Sequence, residues 1–405
     1  MKIQSAVILA AALAASTILA PLPVVHAAGP APVAATAQDP ATLVQSEIDK
    51  GLEYLKSQQL PDGLWEKEGE PPALTAIALR AFIGDAKYAN QPFVKKGFDK
   101  LLTFQKDDGS ITSDVLATYN TAIACSALAL SGDPKYKAAA EKAVGYLKSI
   151  QWRDKIEGVP NQNKPVDPSD PRYGGFGYGG HSRPDMSNTQ FAIEALHDAG
   201  LKPGDPAYEN ALKFITRDQN NSETNDQKAW AGDDGGFIYT PADGGATEVR
   251  EKPGVAPDGR RMLRSYGSMT YAGLKSMIYA GLTKDDPRVK AAWKWIGNNW
   301  NLDINPGMQY GDLNDPKVAE QGLFYYYHTL ARALHAYGEP IITDAKGKKH
   351  DWRVELINVL AKQQSADGHW TGVQRFMEDR PGLSTSYGVL AAEEALKDLK
   401  EHPAK

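Results

Sequence analysis

The chain has 405 residues, of which 42% are hydrophobic and 23% charged, a composition typical of a globular protein and not of a disordered or collagen-like one. Its net charge of −5 is spread along the chain without a long basic run, so nucleic acid is not expected as a partner. The one cysteine excludes an internal disulfide and the paired thiolates of cysteine-rich metal sites.

The N-terminus has the pattern of a secretory signal peptide. Lys2 is followed by an apolar run from Ala6 to Ala20, and small residues lead to Ala28. We expect a signal peptide over residues 1–28 and a disordered Ala/Pro-rich leader over 29–41, so the mature chain would be exported to the periplasm or the cell exterior. The run is shorter than the roughly 20 strongly apolar residues of a membrane span, and no span is expected elsewhere.

Residues 42–400 contain an internal sequence repeat. The segment from Gly51 to Trp65 returns as Leu356 to Trp370, with Gln58-x4-Gly63-x-Trp65 matched by Gln363-x4-Gly368-x-Trp370. Four degenerate copies lie between them. The marker glycines of the six copies are Gly63, Gly109, Gly175, Gly236, Gly307 and Gly368. The irregular spacing of these glycines is typical of a repeat made of two helices joined by loops of variable length.

A second helical pattern, rich in small residues, follows each marker. The six segments begin at Leu74, Asn120, Ser187, Met269, His328 and Thr385. Their apolar residues recur at three- and four-residue spacing, which is helical periodicity. One unit is therefore an outer helix, a Gly-containing loop and an inner helix, and such pairs must stack to bury their apolar faces. Because the first and last copies are the best preserved, we expect a closed ring: an all-α, α/α toroid of six helix pairs.

The loop element resembles the repeat of squalene and terpenoid cyclases, and the length resembles the single-toroid subunit of protein prenyltransferases. This resemblance implies a central cavity facing the N-termini of the inner helices. Proton-initiated cyclases carry a D-x-D-D-T-A motif whose middle Asp protonates the substrate. The matching segment here runs from Asp185 to Gln190, with Ser187 and Asn188 in place of the acid pair. The resemblance therefore predicts no proton-initiated cyclisation, since a hydroxyl cannot protonate a carbon.

Protein prenyltransferases hold zinc with an Asp, a Cys and a His. The matching positions here are Tyr266, Ser268 and His328, so two of three ligands are missing. We expect no metal and no cofactor. The basic residues of that family's diphosphate site are matched by Arg260, Arg261 and Arg264, which precede the fourth inner helix.

Several further residues are candidates for a role in the cavity. Asp185, His328 and His181 are the catalytic candidates, although a helix-capping role for Asp185 and a structural role for His328 are the more ordinary interpretations. Arg260, Arg264, Tyr266, Tyr310 and Tyr327 are the ligand-binding candidates. An anionic head would lie at the arginines and at the helix N-terminus near Ser268, and an isoprenoid-like tail would lie among the tyrosines.

Three functions remain open at this point. The first is an exported relative of the cyclases and prenyltransferases whose aromatic cavity binds a hydrophobic or anionic small molecule, with catalysis undecided. The second is a protein-interaction module without catalysis. The third is a polysaccharide-active toroid, which would need two facing carboxylates, with Asp185, Asp233 and Asp312 as candidates. The oligomeric state is open, and a monomer is assumed.

Overall fold

A computed structural model describes residues 38–67, 69–155, 163–250, 259 and 261–403. The predicted signal peptide and most of the leader lie outside these residues, as does Arg260. Within the described residues nearly all of the regular secondary structure is helical, joined by long loops, with two short antiparallel strand pairs. None of the described helices is long and apolar enough to cross a lipid bilayer.

Twelve helices in the described part of the chain alternate between an outer and an inner position. The outer helices are α1 (Pro40–Gln58), α3 (Pro92–Leu102), α5 (Pro134–Ile150), α7 (Pro206–Asp218), α9 (Pro287–Asn298) and α11 (Trp352–Gln363). The inner helices are α2 (Pro72–Gly84), α4 (Ala117–Leu130), α6 (Met186–Asp198), α8 (Gly267–Tyr279), α10 (Leu323–Tyr337) and α12 (Pro381–Glu401). The strands are β1 (Phe176–Gly177), β2 (Pro184–Asp185), β3 (Ile341–Thr343) and β4 (Lys349–Asp351), paired β1 with β2 and β3 with β4.

The start of most outer helices follows from an Asp-Pro pair. Asp39, Asp133, Asp205 and Asp286 each accept a hydrogen bond from a backbone N–H of the helix that follows, and proline is the next residue in every case. The carboxylate satisfies a free amide of the first turn, while proline has the helical φ and no N–H to lose.

The inner helices form a closed ring. Each contacts the next in chain order, from α2 through α12, and α12 contacts α2. Their residues are buried nearly all round, whereas the outer helices bury one face against them. The predicted all-α, α/α toroid is thereby confirmed.

The connecting loops share one set of hydrogen bonds in five of the six helix pairs. A glutamine amide at the end of the outer helix donates both to a carbonyl of its own loop and to a carbonyl of the next outer helix around the ring. These glutamines are Gln59, Gln105, Gln151, Gln219 and Gln364. Gln364 donates to the Glu47 carbonyl of α1 and so joins the last pair to the first. In the remaining pair, Trp300 donates to Glu355 of α11.

For two glutamines and two glycines of the repeat, the residue with the structural role is the direct neighbour of the one that the sequence pattern marks. Gln59 and Gln364 make the loop hydrogen bonds, whereas Gln58 donates to Ser57 and Gln363 to Tyr327. The left-handed loop glycines of the third and fourth pairs are Gly174 and Gly235, with φ of 91° and 86°, rather than Gly175 and Gly236. A Cβ at Gly174 would collide with the Asn210 carbonyl, so both backbone conformation and space require glycine there.

Candidate ligand-binding cavity

The N-terminal ends of the inner helices enclose a cavity of about 330 Å³. All six inner helices contribute side chains to it, among them Ala73, Leu74, Tyr119, Ser187, Met269, Tyr325, Leu383 and Tyr387. The volume lies at the small end of the range of roughly 300–1,000 Å³ for small-molecule sites. The lining is mainly apolar and includes six tyrosines: Tyr119, Tyr178, Tyr239, Tyr266, Tyr325 and Tyr387.

The lining includes loop residues with unfavourable backbone conformations. Leu116, Phe376 and Met377 line the cavity with φ of 49°, 61° and 65°, in the left-handed region that non-glycine residues rarely adopt. Leu116 and Phe376 are also among the exposed large hydrophobic residues. Strain of this kind concentrates at functional sites, because it persists only where the surrounding structure holds it in place.

A chain of hydroxyl groups crosses the cavity wall. The Tyr119 hydroxyl lies 3.2 Å from Ser187 Oγ, which lies 3.4 Å from the Tyr325 hydroxyl. Gln190 Nε2 donates to the Tyr325 hydroxyl over 3.1 Å, and Lys275 Nζ donates to Gln190 Oε1 over 2.5 Å. Gln190 and Lys275 are wholly buried. The hydroxyl groups of Tyr119, Ser187 and Tyr325 thus form a polar floor of the cavity. Hydrogen bonds through Gln190 connect this floor to the buried Lys275 ammonium.

Beyond this floor, towards the C-terminal ends of the inner helices, charged side chains from five helices form an axial ion cluster: Arg80, Glu194, Asp198, Lys275, Arg332 and Glu394. Glu194 contacts Arg80, Lys275 and Arg332, and all four are buried or nearly so. Burial opposes the ionisation of Glu194, but the three cations hold its pKa well below the usual range. The cluster fills the axis of the ring with paired charges.

The charges that reach the cavity itself are few. Among its described lining residues only Glu248 and Arg375 are charged, and Arg375 Nη2 lies 2.7 Å from Glu248 Oε2. Two facing carboxylates, which glycoside hydrolysis requires, are not found in this described lining. Asp233 accepts a hydrogen bond from Ser222 and Asp312 from Asn314, and neither lines the cavity.

The segment matched to the cyclase motif lies at the cavity. Ser187, at the position of the cyclase acid, is one of the lining residues. Asp185 is buried and caps α6 by accepting from the backbone N–H and side-chain amide of Asn188, both over 2.8 Å. Burial raises the pKa of Asp185 to about 7 despite these hydrogen bonds. His181 is exposed in the turn between β1 and β2, with φ of 67°.

The two neighbouring candidates on α10 do not line the cavity. His328 is buried against the Tyr387 ring, with centroids 5.4 Å apart, and neither ring nitrogen has a hydrogen-bond partner in the part of the chain that the structure describes. Burial lowers the pKa of His328 to about 3, so the ring is neutral at physiological pH. Tyr327 is wholly buried, and its hydroxyl bonds to the Leu302 carbonyl and Gln363. Tyr325, two residues earlier, lines the cavity instead.

Of the two arginines expected to hold an anionic head, the structure describes Arg264 and not Arg260. Arg264 lies over the Tyr310 ring, 4.0 Å from its centroid, and neither residue is part of the lining, whereas Tyr266 is. The α8 N-terminus already has protein partners: Ser268 N–H donates to Asn305 Oδ1 over 3.0 Å. No group of three or more potential metal ligands occurs within the described ranges.

Sequence reasoning missed Arg80, Glu194 and Lys275, although each is a charged residue inside a small-residue apolar helix. Such residues are rarely buried unless they are paired, and this could have signalled the axial ion cluster. It also missed Asp218, whose two carboxylate oxygens are buried without a hydrogen-bond partner among the described residues. Burial, followed by the nearby Asp185, holds the pKa of Asp218 well above its usual range.

No known family model matches this chain, and no curated protein matches it in sequence. Solved structures do resemble it. Type II terpene cyclase MstE from Scytonema, in complex with geranylgeranyl dihydroxybenzoate, aligns with a TM-score of 0.53 at 13% identity, covering 89% of this chain and 99% of that one.

Two carbohydrate-active proteins are similar to the same extent. An alpha-1,6-mannanase from Salegentibacter aligns with a TM-score of 0.54 at 11% identity, covering 88% of this chain and 99% of that one. An alpha-amylase from Clostridium perfringens aligns with a TM-score of 0.51 at 11% identity, covering 86% and 97%. At such low identity the likeness extends to the fold alone: the chain is an α/α toroid of the architecture found in terpene cyclases and these carbohydrate-active proteins.

Proposed function

We propose that this protein, after export by its signal peptide, binds an apolar small molecule of isoprenoid type in the central cavity. The observation that carries the proposal is the lining itself: apolar and aromatic side chains around a small hydroxyl floor. Its two described charges, Glu248 and Arg375, neutralise each other. Burial of apolar surface would supply most of the binding free energy, and the few polar groups would orient the ligand.

Proton-initiated cyclisation is not part of this proposal. Ser187 cannot supply the acid, and Asp185 is held by Asn188 outside the cavity lining. Purified protein incubated with squalene should therefore return it unchanged, as judged by gas chromatography. A cyclic product would show that another acid protonates the substrate.

Binding is tested by calorimetric titration of purified mature protein with farnesol. Leu74 lines the cavity, and Leu74→Trp would fill part of it, so affinity should fall at least tenfold. Leu130→Trp is the matched control, because Leu130 is exposed at the C-terminal end of α4 and should leave affinity unchanged. The absence of binding to wild type, or equal affinity in both variants, rejects the proposal.

An anionic head at Arg260 and Arg264 is a separate proposal, because Arg264 lies over Tyr310 outside the cavity lining. Titration with farnesyl phosphate tests it, and Arg260→Ala should then weaken binding roughly ten- to a hundredfold if a charged hydrogen bond is lost. Equal affinity in wild type and variant would remove the arginines from the site and leave the apolar cavity.

Protein interaction is the second candidate function. Six of the exposed large hydrophobic residues are Val115, Leu116, Tyr178, Tyr310, Leu313 and Phe376, and three of these line the cavity. Exposed apolar patches mark interaction sites. If farnesol and farnesyl phosphate both fail to bind, this candidate takes precedence.

A further inference from the structure

We infer that the cavity selects a ligand whose apolar body ends in a neutral hydrogen-bond acceptor, such as a carbonyl oxygen, and that this oxygen lies at the hydroxyls of Tyr119, Ser187 and Tyr325. The inference rests on the proposed binding function and adds the chemistry and orientation of the ligand head. It follows from the direction of the hydrogen bonds in the floor and from a count of their protons.

The direction is set at the buried end of the chain. The Lys275 ammonium can only donate, so Gln190 presents its carbonyl oxygen to Lys275 and its amide N–H to Tyr325. The Tyr325 oxygen therefore accepts from Gln190. Its own proton is left to point towards Ser187 or into the cavity.

The count of protons leaves one donor unused. Tyr119, Ser187 and Tyr325 carry one hydroxyl proton each, and the two hydroxyl–hydroxyl contacts use two of the three. Whichever way the two bonds run, one O–H has no acceptor among these hydroxyls; if it is the Tyr325 O–H, the neighbouring Thr329 hydroxyl is the described group that competes with a ligand for it. All three side chains line the cavity, so the unused O–H is available to a ligand there.

The buried cation does not call for an anionic head. Lys275 is already paired with Glu194, and the axial ion cluster has as many carboxylates as cations. A carboxylate or phosphate carried to this floor would lose its hydration without meeting an unpaired cation among the described lining residues. A neutral acceptor loses far less hydration free energy than a charged group, and it satisfies the unused O–H.

A second pair of hydroxyls provides the competing location. The Tyr178 and Tyr239 hydroxyls lie 2.9 Å apart and also line the cavity, and they too have a proton to spare. Tyr178 is 41% exposed, so water can satisfy that pair before a ligand arrives. A ligand acceptor should therefore add more binding free energy at the floor than at the Tyr178–Tyr239 pair.

The test compares three ligands with one tail: geranylacetone, the hydrocarbon of matched length without the carbonyl, and the matched primary amine, which is protonated at neutral pH. Calorimetry on wild type should give the ketone about three- to tenfold higher affinity than the hydrocarbon, as expected for one neutral hydrogen bond. The amine should bind more weakly than both. Equal affinity for ketone and hydrocarbon overturns the inference but leaves the proposed function standing, whereas no binding of any of the three overturns both.

Variants locate the head. Tyr119→Phe/Ser187→Ala/Tyr325→Phe removes every floor hydroxyl while keeping the ring shapes, and it should abolish the preference for the ketone without abolishing hydrocarbon binding. Tyr178→Phe/Tyr239→Phe is the control and should retain the preference. The reverse pattern would place the acceptor at Tyr178 and Tyr239 and refute the assignment. Retained hydrocarbon binding shows that the triple variant is folded.

Discussion

Replacing Lys275 with methionine should lower the melting temperature by about 4–7 °C, because it unbalances the axial ion cluster. The cluster contains three cations and three carboxylates. Lys275 has no exposed side-chain surface, and its partner Glu194 has 1%. Methionine has a similar length without the charge, so the substitution leaves Glu194 with two cationic partners and the cluster with one excess negative charge.

The magnitude follows from the cost of an unpaired charge in the interior. Breaking a buried ion pair by removing one partner costs about 3–5 kcal/mol. The entropy of unfolding is about 2.1 cal/mol/K per residue, so a domain of this size loses about 1.3 °C of melting temperature per kcal/mol. The product is the expected shift of about 4–7 °C.

Differential scanning calorimetry at pH 7 measures this shift. Lys275→Met/Glu194→Gln restores the balance of charges, so it should be less destabilised than the sum of its single variants, by about 1–3 kcal/mol. Lys290→Met is the matched control. Lys290 and its partner Asp285 have side chains 61% and 95% exposed, and such pairs contribute less than about 1 kcal/mol. A Lys275→Met variant that melts within 1 °C (about the expected shift of the control) of wild type would refute the reasoning.

Three other substitutions test the loops and the buried acids. Glu47→Gln should raise the melting temperature at pH 8 more than at pH 5. Burial raises the pKa of Glu47 from 4.5 to about 8, so the folded protein keeps a proton there that the unfolded chain releases. The free energy of unfolding therefore falls as pH rises from 4.5 towards 8, and glutamine removes this loss. Gln364→Ala should accelerate amide hydrogen exchange in α1, measured by mass spectrometry, because Gln364 donates to the Glu47 carbonyl. Gly174→Ala should destabilise by about 2 kcal/mol or more in thermal unfolding, because strain and a backbone collision add.

Each of these three has a control in the chain. The exposed Glu141→Gln should show no such pH dependence. Gln105→Ala should accelerate exchange in α5 and leave α1 unchanged, since Gln105 donates to Ala139. Gly200 has φ of 88° but open space where a Cβ would lie, so Gly200→Ala measures backbone strain alone. Equal effects in a variant and its control would contradict the corresponding explanation.

Local features of the sequence determined the helices and their arrangement in pairs. Three- and four-residue apolar spacing specifies an amphipathic outer helix and a nearly all-apolar inner one, and Asp-Pro pairs such as Asp133-Pro134 mark helix starts. The recurrence of this unit, with its best copies at the two ends, was sufficient to predict a closed α/α toroid. These features are readable because each depends on residues within a few positions of one another.

The cavity and its polar floor were decided by tertiary structure. Tyr325 and Tyr327 are neighbours in one aromatic run, yet Tyr325 lines the cavity while Tyr327 is buried outside it. Which of the two tyrosines faces the cavity depends on the rotation of α10 about its own axis. The packing of α10 against α8 and α12 fixes that rotation. Likewise, Ser187 meets Tyr119 and Tyr325 across 68 and 138 positions of sequence. Contacts of this kind exist only once the ring has closed, because no local pattern specifies which faces of six helices meet at its axis.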